Sequence, residues 1–240
     1  VPGFLNTIVV YNYRGGSINL KEMECKERVK CVIFDFNGTL FFDYNENKDA
    51  WNIIARKYRG KEFGEEEYLS MMGKTDRRCA EYIVKDATDE ILDQISEEKE
   101  EIYLRLLVER NIQLEEYALS FIKKCKERNV RVMIASSAPK MNMDWYIRNL
   151  KLDHYFNIDD IIAGRNDIPS KPAPDIYIYT QGLGGFKGEE CIAFEDAPGG
   201  LKSALGAGFR RVYGIKSPGM NLEETGKLAP LLDWKWANDH

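Results

Sequence analysis

Four short stretches of this 240-residue chain combine reactive side chains with turn chemistry. Asp35-Phe36-Asn37-Gly38-Thr39-Leu40 follows the apolar run Val32-Ile33-Phe34. Ser136-Ser137 follows a second apolar run, and Lys171-Pro172-Ala173-Pro174-Asp175 holds a lysine in a stiff, proline-bracketed loop. Glu195-Asp196 follows Phe194 and precedes Gly199-Gly200. A carboxylate at the end of a buried strand is costly unless it is paired or metal-bound, and Gly38 permits a sharp turn just beyond Asp35. Taken singly, each stretch has an ordinary use: Asp35 or Asp196 as a cap, Ser136 as a polar turn residue, Lys171 as a solvated cation. Taken in chain order, they supply carboxylates, a cation, hydroxyls and backbone amides, each at an expected strand end.

The elements that must position them follow from the apolar pattern. Runs rich in Val, Ile and Phe predict buried parallel strands at 31–36, 130–135, 160–163 and 191–194, with a fifth at 211–215. Helical patterns lie at 119–128, 141–149, 176–183 and 199–208. Strands alternating with helices predict an α/β fold with a Rossmann-like parallel sheet core. In such sheets ligands sit at the carboxyl ends of the strands. One connection breaks the rule of short crossovers. From 40 to about 112 the text is highly charged and helical, with apolar residues at helical spacing (Trp51, Ile54, Ala55, Tyr58, then Ile91, Ile95, Ile102, Leu106). It predicts an all-helical cap inserted after the first strand. The core is expected over 26–43 and 114–240 and the cap over 44–113, with 1–25 an N-terminal extension set aside from the functional argument.

The four stretches together resemble the four motifs of the haloacid dehalogenase superfamily. They are most similar to the branch with a helical cap, which includes beta-phosphoglucomutase and small sugar-phosphate phosphatases. The resemblance spans about residues 30 to 218. It implies that Asp35 attacks phosphorus. It implies that Mg²⁺ is held by Asp35, the Asn37 carbonyl, Asp196 and, directly or through water, Glu195. It also implies that Ser136 and the Ser137 amide hold phosphoryl oxygens while Lys171 screens the Asp35 carboxylate and the phosphate. Each role is physically reasonable. Two anions approach only where cations offset them, Mg²⁺ prefers oxygen ligands, and phosphoryl transfer depends mainly on positioning and charge stabilisation.

The sequence departs from the family at one decisive position. The resemblance implies a second Asp two residues after the nucleophile as general acid and base, and Asn37 stands there. An amide neither gives nor takes a proton near neutral pH. Asp43, a few residues on, is an alternative proton source or simply a helix cap. In the cap, Lys74, Arg77 and Arg78 fall at the spacing of the substrate-specificity loop and are expected either to meet a second anionic group or to form a basic, solvated helix start. Lys140 is a weaker phosphate-contact candidate. Trp51 is expected in the cap core, His154 and Tyr155-Phe156 to pack before the third strand, and His240 to lie at the terminus; the Trp234 to Trp236 tail has no assigned role, helix packing being the ordinary use.

Bulk properties narrow the partners. Net charge is -5 with both signs mixed along the chain, without the basic footprint of a nucleic-acid binder. The five cysteines lack metal-ligand spacing and read as free thiols. No apolar run approaches the ~20 residues of a membrane span. The expectation is a cytoplasmic, Mg²⁺-dependent phosphatase, monomeric or weakly dimeric, acting on a small phosphorylated substrate. A phosphosugar mutase and a low-turnover phospho-ligand binder are its alternatives.

Overall fold

The computed structural model describes residues 9–11, 17–19, 29–72, 74–165 and 167–235. They group into two units, one drawn from Val1–Phe42 and Gln113–His240, the other from Asp43–Ile112. Cys25, Trp236 and His240 lie outside the described residues. Within the expected extension, β1 (Val9–Tyr11) pairs antiparallel with β2 (Ser17–Asn19).

The first unit is built on β3 (Cys31–Phe34), a run of four apolar residues buried on both faces, as a central parallel strand requires. It is flanked by β4 (Arg131–Ala135) and β6 (Cys191–Glu195), both parallel to it. β5 (Ile161–Ile162), β7 (Arg211–Ile215) and β8 (Leu231–Leu232) complete a six-stranded sheet of order β5-β4-β3-β6-β7-β8. The chain runs outward from β3 through β4 to β5, then returns to β6 on the other side. The switch point therefore lies between β3 and β6, the place where such sheets open a crevice for ligands. Register makes this exact in sequence terms: Phe34 lies opposite both Ile134 and Phe194, so Asp35, Ala135 and Glu195 come next, side by side. The intervening helices are α5 (Glu116–Glu127), α6 (Lys140–Asn149), α7 (Asp175–Leu183), α8 (Pro198–Gly206) and α9 (Leu222–Leu228).

Two expected strands are shorter than the apolar pattern suggests. β3 stops at Phe34: the Asp35 N–H still bonds the Phe194 carbonyl, but Phe36 then accepts from Thr39 and Leu40 in a tight turn. The expected strand at 160–163 keeps only two residues, because Asp160 belongs to a single 3-10 turn, Ile158–Asp160. Its buried carboxylate takes the Arg131 guanidinium at 2.6 Å and the Asn157 amide at 3.0 Å. β8 had no signal in the sequence pattern. Trp234 packs on Phe34, Phe194 and Phe121 of α5, and its indole N–H donates to the Thr39 carbonyl at 2.7 Å. Phe156 joins the same aromatic cluster edge-on to Phe34, while His154 is exposed.

The second unit holds α1 (Tyr44–Arg59), α2 (Glu65–Met71), α3 (Asp76–Ile83) and α4 (Asp89–Glu109). Trp51, Ile54 and Ala55 are buried on α1 and Ile95 and Leu107 on α4, whereas Ile91 is exposed. Buried beside them is a charged cluster. Lys99 Nζ sits 2.7 Å from Glu100 and 3.4 Å from Asp76, over the rings of Trp51 and Tyr103. No helix among the described residues is long and apolar enough to cross a membrane.

That cluster predicts a pH dependence. Burial pushes the Asp76 carboxyl up to about 6, with Glu100 adding to the rise and Lys99 opposing it. An acid whose pKa rises on folding favours the native state most when protonated. Its contribution is therefore complete below about 4 and lost as pH climbs through about 6. In Asp76→Asn this part of the slope should vanish. Thermal midpoints of the two proteins between pH 4 and 7 check it.

Candidate active site

The acids and the lysine that the sequence marks at separate strand ends converge. Lys171 Nζ donates to Asp35 Oδ1 at 2.7 Å, to Glu195 Oε1 at 2.6 Å and to the Ala135 carbonyl at 2.9 Å. Its three donors are thereby shared among the ends of β3, β6 and β4, the three central strands. The loop carrying it begins with a cis Lys171–Pro172 peptide and is tied to α8 by Ser203 Oγ, which donates to the Ala173 carbonyl at 2.6 Å. Asp35, Glu195 and Asp196 bring carboxylate oxygens within 4.8 Å of one another.

Two glycines make this crowding possible. Gly38 adopts φ +75°, and a Cβ there would overlap the Asp196 carboxylate. A Cβ on Gly200, in the first turn of α8, would overlap the Glu195 carboxyl group. Bare backbone at these points gives both acids the room they occupy.

The electrostatics are those of two buried acids sharing one buried cation, with Asp196 close by. Burial raises the Asp35 pKa, opposed by Lys171 and the Phe36 amide. Burial and the neighbouring Asp35 push Glu195 up to about 7 against the pull of Lys171 and Tyr177. Burial lowers the Lys171 pKa, but the two carboxylates outweigh it and keep the ammonium charged, its pKa above the ordinary lysine value. The three carboxylates lie close enough together to hold one cation between them. Their donor set is all oxygen, which suits a hard divalent cation such as Mg²⁺.

The remaining expected residues fall in different places. Asn37 follows Asp35 on the turn, and its amide Nδ2 donates to the Tyr146 hydroxyl at 3.2 Å. Ser136 is buried beside Ala135, its Oγ accepting from the Ala138 N–H at 3.0 Å, and Ser137 is exposed. Lys140 pairs with Asp144 on its own helix. In the second unit, Arg77 pairs with Asp89 and Asp93, and Arg78 with Glu81, so both guanidinium groups have carboxylate partners inside the cap. Lys74 is exposed, its Nζ 3.7 Å from Met71 Sδ. Asp43 precedes α1 and accepts from the Tyr103 hydroxyl.

Three hydroxyls at the site were missed by the sequence reading. Tyr177, on α7, donates to Glu195 Oε1 at 2.6 Å. Ser217, just after β7, donates to Asp196 Oδ2 at 3.3 Å. Tyr146, on α6, receives the Asn37 amide. Both tyrosines sit in helical apolar patterns, where the sequence marks them as core. Only the position of Ser217 beyond a strand end offered a hint.

A sequence model of haloacid dehalogenase-like hydrolases matches residues 29–208. A phosphorylated carbohydrates phosphatase of Thermotoga maritima is 28% identical over 209 residues, covering 84% of this chain and 93% of that protein. The fructose-1-phosphate phosphatase YqaB of Escherichia coli is 25% identical over 187 residues, covering 78% and 96%. The crystal structure of a HAD hydrolase, family IA, variant 3, from Entamoeba histolytica superposes with a TM-score of 0.78 at 34% identity, covering 85% of this chain and 92% of that one.

Adjacent glycines give a matched test of the crowding. Gly200→Ala should destabilise the protein by about 1–3 kcal/mol through overpacking against Glu195. Gly199→Ala, whose Cβ would meet open space, should be neutral or stabilising by up to ~1 kcal/mol. Urea denaturation of both variants checks the contrast.

Proposed function

The chain belongs to the haloacid dehalogenase-like hydrolases, and on that premise we propose that it is a divalent-metal-dependent phosphatase of small phosphorylated carbohydrates, working through an aspartyl-phosphate on Asp35. The observation that carries the reading is the junction of Asp35, Lys171, Glu195 and Asp196 at the switch point of the sheet. The printed activities of the Thermotoga and Escherichia relatives support the choice of substrate class.

Asp35 is the nucleophile. One carboxylate oxygen attacks phosphorus, the P–O ester bond breaks, and the sugar oxygen leaves with the bonding electrons. Water then attacks the phosphorus of the aspartyl-phosphate, releasing inorganic phosphate and regenerating the carboxylate. Lys171 holds Asp35 in place and offsets the charge of the approaching phosphoryl group. The buried Ser136 hydroxyl and the Ser137 amide cradle phosphoryl oxygens, the preorganised donors such a transfer depends on. Asp35, the Asn37 carbonyl, Asp196 and Glu195 would hold Mg²⁺, which when bound supplies the positive charge that lets two anions meet. Of Lys74, Arg77 and Arg78, the three cap residues read as contacts for a second anionic group, Arg77 and Arg78 already pair with carboxylates, which makes Lys74 the first to test.

Asn37 sets the rate. Held by Tyr146, its amide can orient a leaving oxygen by hydrogen bonding but cannot deliver a proton to it. Sugar alkoxides are poor leaving groups, so turnover of sugar phosphates is slow, and efficient mutase chemistry, which needs proton transfer in both directions, is disfavoured.

Hydrolysis of p-nitrophenyl phosphate with Mg²⁺ should be measurable and should disappear in Asp35→Ala. A wild type with no turnover on any phosphate ester would leave only a phospho-ligand binder. On sugar phosphates, Asn37→Asp should raise kcat by about 10²–10⁴-fold, the usual worth of general acid–base catalysis, whereas the gain on p-nitrophenyl phosphate, whose leaving group needs no proton, should be small.

A further inference from the structure

Tyr177 is a fully buried phenol whose ring belongs to the apolar core beneath the sheet, edge-on to Phe209 at 5.4 Å. Its hydroxyl alone leaves that core, reaching Glu195 Oε1 at 2.6 Å. The same oxygen receives Lys171 Nζ at 2.6 Å. A carboxylate oxygen has two lone-pair directions, and on Glu195 Oε1 both are taken.

We propose that Tyr177 is a positioning residue of the metal site: with Lys171 it saturates Glu195 Oε1, so that Glu195 offers Oε2 alone to a divalent cation or its bound water. The inference rests on the metal-site reading given above. Without the phenol, Lys171 remains as the donor to Oε1, and the Glu195 carboxyl is free to turn about its own axis and exchange its two oxygens. One orientation is then no longer imposed before the cation arrives, and affinity falls because the ordering has to occur on binding. A tyrosine placed here only to fill the core would contribute packing and one hydrogen bond, and its loss would lower stability without touching cation affinity.

The test is calorimetric titration of Mg²⁺ into metal-free full-length protein, alongside thermal midpoints and steady-state kinetics. Tyr177→Phe keeps the ring and removes the donor. It should weaken Mg²⁺ binding by roughly 10-fold, the lower end for loss of a group that orients a metal ligand, and raise the Mg²⁺ concentration needed for half activation to match. The KM for p-nitrophenyl phosphate at saturating Mg²⁺ should stay unchanged. Phe209→Leu disturbs the same core without reaching Glu195 and should lower the thermal midpoint while leaving Mg²⁺ affinity intact. p-Aminophenylalanine at position 177, which restores a donor to the same place, should recover binding. Unchanged Mg²⁺ affinity in Tyr177→Phe, or equal weakening in Phe209→Leu, overturns the proposal. Should Tyr177→Phe fail to fold, failure of the p-amino variant to bind Mg²⁺ as wild type does overturns it instead. A wild type that takes up no Mg²⁺, indistinguishable from Asp196→Asn, overturns the metal-site reading itself and this inference with it.

Discussion

One buried ammonium group holds the site together. Lys171 is bonded at once to the ends of three neighbouring strands, through two carboxylates and one backbone carbonyl. Its position is what allows Asp35 and Glu195 to stand side by side in a desolvated crevice. Breaking such a pair by removing one partner is far more damaging than the pair is stabilising, because the survivor is left buried and uncompensated. The turn at Gly38, the bare backbone at Gly200 and the Ser203 anchor of the lysine loop all serve this junction.

The arrangement also explains why the crevice is poised for more positive charge. A sheet that sets two buried acids on one lysine has not balanced them, and burial raises the proton affinity of Asp35 and Glu195. Protonation is one way for the folded chain to relieve the excess, and binding a cation is another. The two compete, as they do wherever metal ligands must be deprotonated. Outside the crevice the acids and bases are arranged differently: Arg77, Arg78 and Lys140 have carboxylate partners on the surface, and Lys99 has two inside the cap.

Much of this was legible in the sequence because the relevant residue types are rare at strand ends. Asp35, Lys171 and Glu195 stand out against apolar runs, and a parallel sheet brings such ends to one edge whatever the details of packing. The helical insertion was visible for a similar reason, its apolar residues recurring at 3.6 rather than 2. What escaped was whatever depends on reach across the fold. Tyr177 and Tyr146 look like core residues because most of each is core, and only the last atom of each carries the polar role. The seat of Trp234 was hidden because nothing nearby in sequence reveals that the carbonyl of Thr39, 195 positions away, will accept its N–H. Asp160 looked like part of a strand because its buried ion pair with Arg131 forms only in the folded sheet.

The lysine junction has a consequence for how the protein comes into being. Lys171 and Asp35 are separated by 136 residues, with the whole helical insertion between them. The central strand can find neither of its partners until long stretches of chain have been made and closed into loops, the kind of non-local pairing that folds slowly. During synthesis on the ribosome, β3 and its carboxylate emerge long before the cation that neutralises them. Until Lys171 has been made, an early chain therefore has every reason to leave Asp35 in water.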